Sequence, residues 1–259
     1  MKRWSNFYIV RIAFLGYRFH GWQKQPGLKT LHGMVDKTIK YVLQDEPFQT
    51  LGCARTDAMV SADDYAFELF TNQSLQNDTF LYEFDLNLPP DIQAKSIKVT
   101  DSSFNIIQSS KLKTYHYYFV TGKKPLPHYA PFIGYFKDRL NIEAMKNAAT
   151  LLEGEHDFKL FVSRPSEKTV TTRAIESSSL SQTNRWGMFC QDHSCYVFQV
   201  NGRGFMRHQV RLMFGALLEI GKETRSLSSL ADALKGKGEK IKTIAPASGL
   251  RLHKIQFED

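Results

Sequence analysis

Arg55 and Asp57 stand two residues apart in the run Gly52-Cys53-Ala54-Arg55-Thr56-Asp57-Ala58-Met59-Val60-Ser61-Ala62, whose other residues are small or uncharged. In an extended or tightly turned backbone, residues two apart face the same side, so the pair can share one cleft. A carboxylate kept ionised in such a cleft is a candidate nucleophile. Asp57 also fits a plainer role, as a helix N-cap or a turn residue. Two other constellations carry less. Gly202-Arg203-Gly204-Phe205-Met206-Arg207 imitates a dinucleotide loop but lacks the third glycine. Cys190, His193 and Cys195 lie close together, but no second cluster completes a zinc site, so no metal is expected.

Cations interleaved with aromatics and amides form a further group, Tyr17-Arg18-Phe19-His20-Gly21-Trp22-Gln23-Lys24-Gln25. Such a loop can pair phosphates and stack bases. It reads equally well as a hydrophobic plug with a basic rim. In the second half, apolar residues Met206, Val210, Met213, Phe214, Leu217 and Leu218 recur at helical spacing, which places Arg207 and Arg211 together on the flank of a helix start. A helix start prefers anions. The two arginines are therefore either solvated or opposed by an acidic group, a phosphate or Asp57.

The scaffold that must position these residues is that of a soluble globular protein. The 259 residues are 42% hydrophobic and 23% charged, enough for one large domain or two small ones. A net charge of +8 favours a polyanionic partner without requiring one. Three cysteines with no CxxC fit a reducing cytosol. The start is basic then apolar, but Arg11 interrupts it and no small-x-small cleavage site follows, so export is not expected. No run approaches a membrane span.

Phe7 to Phe14 alternates with both faces largely apolar, which predicts a central strand ended by Gly16. Thr30 caps a helix with Leu31, Met34, Val35, Ile39, Val42 and Leu43 inward. Strands are expected at Tyr65 to Thr71 and Ile92 to Val99, on either side of the stop at Asn87-Leu88-Pro89-Pro90. Beyond a Ser/Asn-rich boundary at 103 to 110, strands are expected at Lys111 to Val120, Thr169 to Leu180 and Met188 to Val200, with Gly249 to Phe257 as a closing edge strand. A helix is expected from Asn141 to Leu152 and another up to about Ile220. Each half thus runs strand, Gly/basic/aromatic loop, amphipathic helix, which suits two α+β units, residues 1–105 and 106–259.

The signature run resembles the G-x-G-R-T-D-x-G-V-H-A motif of the TruA family of tRNA pseudouridine synthases. Further matches follow in order. Gly16, Phe19 and Gly21-Trp22-Gln23 resemble the family's Y-D-G-x-x-F-x-G-W-Q, and Lys113-Thr114-Tyr115-His116-Tyr117 its K/R-x-Y-x-Y. Glu155-His156-Asp157-Phe158 is similar to G-x-H-D-F. Gly204-Phe205-Met206 through Gln209-Val210-Arg211 and Gly215 is similar to G-F-L...M-V-R-x-M-V-G, and Ala245 to Leu250 to A-P-A-x-G-L. The resemblance covers nearly the whole chain.

What it implies is specific. The fold would be two ferredoxin-like α+β lobes in one curved, mostly antiparallel sheet, with helices on one face and a basic RNA-binding cleft on the other. The reaction would be isomerisation of uridine to pseudouridine at about positions 38 to 40 of the tRNA anticodon arm, by a cytoplasmic homodimer needing no cofactor. Asp57 would be the catalytic carboxylate and Arg211 the cation keeping it ionised. Arg55 would help the nucleotide out of the stack, and Tyr115 would pack on the flipped uracil and carry a proton. Arg18, Phe19, His20, Trp22, Gln23, Lys24, Arg203 and Arg207 would contact RNA. The chain departs from the family at Ala54, Met59 and Ser61, which stand for Gly, Gly and His, at Leu15 for Asp, and at Ile107 for Arg. These departures bear on the target uridine. A paralogue acting on another uridine and a non-catalytic RNA-binding module are the competing readings.

Overall fold

The computed structural model describes residues 4–185 and 194–257. It is a mixed α and β protein of two compact units, Met1–Lys111 with Leu252–Asp259, and Leu112–Arg251. In the first unit, strand β1 (Asn6–Phe14) buries Tyr8, Val10, Ile12 and Phe14 on one face. Helix α1 (Leu31–Val42) begins where the Thr30 hydroxyl accepts from Gly33 N, and it buries Leu31, Val35 and Ile39 at four-residue spacing. Strands β2 (Phe48–Gly52) and β3 (Ser61–Thr71) pair antiparallel, and β1 runs antiparallel to both β3 and β4 (Ile92–Thr100). β1 is therefore central, as its two apolar faces predict.

Helix α2 (Asn77–Asn87) has no sequence expectation behind it. Only Phe80 and Phe84 are buried, stacked at 5.7 Å, so its apolar stripe is too thin to read. The helix stops where Leu88, ahead of Pro89, turns extended. On β3, Glu68 is 2% exposed; its Oε2 accepts from Ile106 N at 3.0 Å while Oε1 has no partner among the described residues. Burial pushes this carboxyl above the ordinary glutamate range, and the Ile106 bond opposes that only in part.

In the second unit, β5 (Ser110–Thr121) takes the short β6 (Gly134–Phe136) parallel, and this is followed by α3 (Ile142–Thr150) and β7 (Gly154–Asp157). β8 (Thr172–Gln182) and β9 (Cys195–Gly202) complete the antiparallel order β5-β9-β8-β7. The expected start of β9 at Met188 lies outside the described residues, as do Cys190 and His193. Helix α4 (Gln209–Gly221) is buried almost all round, with Phe214 against Tyr117, Phe119 and Phe198. Helix α5 (Leu227–Leu234) precedes a segment, 235–242, that carries four lysines, and β10 (Leu250–Phe257) ends the described chain; expected at an edge, β10 instead has a paired strand on each side.

One expectation about α4 is corrected. The helix begins at Gln209, because His208 adopts φ 61°, a left-handed conformation that no helix interior accepts. Arg207 and Met206 therefore precede the helix, and Arg207 does not share a helical flank with Arg211. The motif near Glu155 acts locally. Asp157 accepts from Lys159 N at 3.0 Å and caps the turn that buries Phe158 and Phe161.

Candidate active site

The loop carrying Asp57 is clamped from both ends. Cys53 N donates to Ala66 O at 3.0 Å, and the Tyr65 hydroxyl donates to Ala54 O at 2.5 Å. Further on, Trp22 N donates to Thr56 O at 3.2 Å and Met59 N to Phe19 O at 3.1 Å. At the far end, Gly16 N donates to the buried Ser61 Oγ at 3.0 Å. Cys53, Thr56 and Val60 face inward, Arg55 and Ala58 are exposed, and Asp57 is half-buried between them. Asp57 opens a tight turn, its carbonyl accepting from Val60 N at 3.2 Å. The plainer turn role is thus real, and it is also what presents the carboxylate on a fixed backbone.

The aromatic loop supplies the other side of that clamp. Gly21 sits at φ 83°, and a Cβ there would come 2.5 Å from Thr56 O. Only glycine permits this approach. Trp22 packs against Tyr65 at 4.1 Å and stacks on His32 at 5.1 Å. Burial pushes the His32 imidazole below its ordinary pKa, with Asp36 opposing. Two RNA-contact expectations fail here. Phe19 and Trp22 are 2% and 3% exposed, so their ring faces are spent on the core and cannot stack on bases. The loop is a plug with a polar rim of Arg18, His20, Gln23 and Lys24, all exposed. Arg18 pairs with Asp91 at 2.7 Å and Lys24 with Asp36, so neither cation is wholly available to phosphate.

In the second unit, Tyr115 lies on β5 opposite Val200, 8% exposed, with Phe205 edge-on at 5.2 Å. Phe205 belongs to the loop after β9, which Gln209 holds by accepting from Met206 N at 2.8 Å. Arg211, in the first turn of α4, donates from Nε to Ala245 O at 2.7 Å, and Ala245 N returns a bond to Arg211 O at 3.2 Å. Arg203 and Arg207 are exposed, Arg203 within 3.9 Å of Glu176. Arg55 and Asp57 therefore belong to the first unit, and Tyr115 and Arg211 to the second.

Comparison with known proteins decides the family. A family model described as tRNA pseudouridine synthase matches residues 148–258. "tRNA pseudouridine synthase A 1" of Clostridium tetani is 35% identical over 248 residues, covering 95% of this chain and 97% of that protein. This chain belongs to the tRNA pseudouridine synthase A family. Family members from Limosilactobacillus reuteri and Aquifex aeolicus, both "tRNA pseudouridine synthase A", agree. The first is 32% identical over 255 residues with 96% of each chain covered. The second is 30% identical over 248 residues, covering 96% of this chain and 98% of its own.

Membership gives meaning to the departures from the family motif. Met59 is the third residue of the Asp57–Val60 turn and has φ 67°, the position and sign for which a type II turn prefers glycine. Ser61 spends its hydroxyl on the Gly16 amide, so this position braces the loop from behind. Sequence reasoning missed that role, although a hydroxyl among buried apolar neighbours is the signal that could have revealed it. Ala54 acts through its carbonyl, which any residue supplies. Ile107 is exposed next to buried Ile106, in a turn held by Asn105 Oδ1.

Proposed function

We propose that this protein isomerises uridine to pseudouridine in tRNA, with Asp57 as the catalytic carboxylate. The observation that carries the reading is the half-buried Asp57 on a turn fixed by buried neighbours and five cross-bonds, within a chain of this family. The reaction breaks the N1–C1′ bond, turns the base and joins C5 to C1′; the C5 proton is lost and N1 gains one. Nothing is oxidised and nothing is added. A carboxylate held rigidly can open such a sequence without reorganisation. Arg55, exposed beside it, takes the space of the displaced nucleotide. Tyr115 packs on the uracil, and Arg211, anchored by Ala245, brings positive charge to the polyanionic substrate.

The target follows the family resemblance, uridines at about positions 38 to 40 of the anticodon arm, and so do the homodimer and the cytoplasmic setting. Among the described residues no helix is long and apolar enough to cross a membrane. RNA contact falls to Arg18, His20, Gln23, Lys24, Arg203, Arg207 and the exposed lysines of the 235–242 segment. The loss of a family arginine at Ile107 removes one phosphate anchor and narrows or shifts the choice of uridine. The test is site-resolved pseudouridine mapping of unmodified tRNA transcripts treated with purified full-length protein. Wild type should convert uridines in the anticodon arm, and Asp57→Asn should convert none while binding tRNA within about threefold of wild type. Turnover by Asp57→Asn under conditions that exclude deamidation would remove Asp57 from the role.

A further inference from the structure

The Tyr117 hydroxyl is fully buried and has no hydrogen-bond partner among the described residues. Its surroundings give no reason for an oxygen to be there. The ring stacks on Phe214 at 4.1 Å, and Phe119, Phe136 and Phe198 close around the same phenylalanine. A phenylalanine in place of Tyr117 would keep every one of these contacts and would not strip water from an O–H group.

The backbone nevertheless makes room for the oxygen. A Cβ on Gly134 would stand 2.5 Å from it, and one on Gly249 would stand 2.7 Å from the carbon that bears it. Two glycines from separate segments thus form the walls of the hydroxyl's place. The wall at Gly249 belongs to the segment whose Ala245 carbonyl anchors Arg211. Arg211 also lies three residues before Phe214, on the adjacent turn of α4. Ring, glycine wall and guanidinium are therefore tied together by 245–249 on one side and α4 on the other. The electrostatics agree: burial pushes the phenol far above its ordinary pKa, and the Arg211 charge is near enough to pull it back in part.

We infer that Tyr117 is a positioning residue for Arg211, its phenol oxygen accepting a guanidinium N–H when bound tRNA draws Arg211 into its working orientation. The inference rests on the reading of Arg211 as part of the reactive site. It explains an otherwise costly hydroxyl as an acceptor held ready in the free protein and used only in the complex.

The test compares wild type, Tyr117→Phe, Arg211→Lys and the double variant, as full-length proteins, by thermal unfolding without RNA and by steady-state kinetics on a tRNA transcript. Tyr117→Phe should raise Tm by about 2–4 °C, since the free protein loses an unpaired buried group. The same variant should lower kcat by about tenfold, with KM for tRNA within about twofold. In the Arg211→Lys background, Tyr117→Phe should cost little further kcat, because the two act as a unit. A tolerated structural tyrosine would give the rise in Tm with unchanged kcat, and that overturns the inference. A fall in Tm overturns it too, since the hydroxyl would then have a partner in the free protein. Full additivity of the kcat losses would break the link to Arg211. If wild type forms no pseudouridine, the functional reading fails and the inference with it; if wild type and Tyr117→Phe are equally active, the inference fails alone.

Discussion

Gly16→Ala tests whether the backbone clamp behind Asp57 sets the rate. An added Cβ would stand 2.5 Å from the carbonyl carbon of Val60 and 3.0 Å from that of Met59, with the Val60 oxygen nearer still. Carbon–carbon contacts settle at about 3.5–4.0 Å, so the two segments must part by about 1 Å. No flexible side chain can swing aside, because the obstruction is backbone. The movement is passed on directly, since Gly16 N is bonded to Ser61 Oγ and Val60 N closes the turn on Asp57 O. A displacement of about 1 Å at a reacting group costs on the order of 10²-fold in rate. Overpacking of this kind costs about 1–3 kcal/mol, and at this chain length each kcal/mol lowers Tm by about 2–4 °C. The assay is thermal unfolding together with initial rates on a tRNA transcript, measured below the onset of melting. Gly204→Ala is the control for stability, because no described residue lies within 4 Å of its Cβ position. A Gly16→Ala protein with wild-type Tm and rate would show that the two loops slide freely past each other, and the clamp argument would be wrong.

Ser61→Ala should lower Tm by about 2–6 °C, because it leaves the buried Gly16 amide without its acceptor, and a larger loss in kcat than in tRNA affinity should accompany it. An unchanged melting curve would mean that another group takes the amide. For Glu68, the folded pKa lies above the unfolded one, so its stabilising contribution is full below the ordinary carboxylate range and is lost as pH rises through the raised value. Glu68→Gln should therefore gain stability over wild type progressively as pH rises above the ordinary carboxylate range in urea unfolding, and a pH-independent difference would contradict the assignment. Affinity for tRNA should fall with salt at a slope of about −3 to −5 in log–log form, because Arg18 and Lys24 are partly engaged by Asp91 and Asp36; a flat response would give the +8 charge another purpose.

Much of this protein is legible in its order of residues. Alternation in Phe7 to Phe14 gives β1 because every second side chain, Tyr8, Val10, Ile12 and Phe14, falls on one buried face. Thr30 followed by Leu31, Val35 and Ile39 gives α1 and its start, since cap and stripe are both local. The run around Asp57 points to the chemistry because ordered motif matches along the chain are far more specific than any single spacing. The first two of these signals lie within a few residues, where sequence acts directly on structure.

Other features depend on partners far along the chain. Phe19 and Trp22 read equally as base-stacking groups or as a plug, and only the arrival of Tyr65 and His32 against Trp22 decides for the plug. The helix expected to include Arg207 begins two residues later because His208 turns left-handed beside Ser163, a residue 45 positions away. Ser61 looks like a loss from a motif until Gly16 comes within hydrogen-bond reach of it. The stray hydroxyl of Tyr117 has no meaning in sequence, since its burial, its glycine walls and the charge of Arg211 come from four separate segments. Local patterning decided which strands and helices form and which aspartate to examine. Tertiary structure decided which aromatics are spent on the core and which backbone holds that aspartate still, because burial and hydrogen bonding across long sequence separations are settled only when the chain has closed on itself.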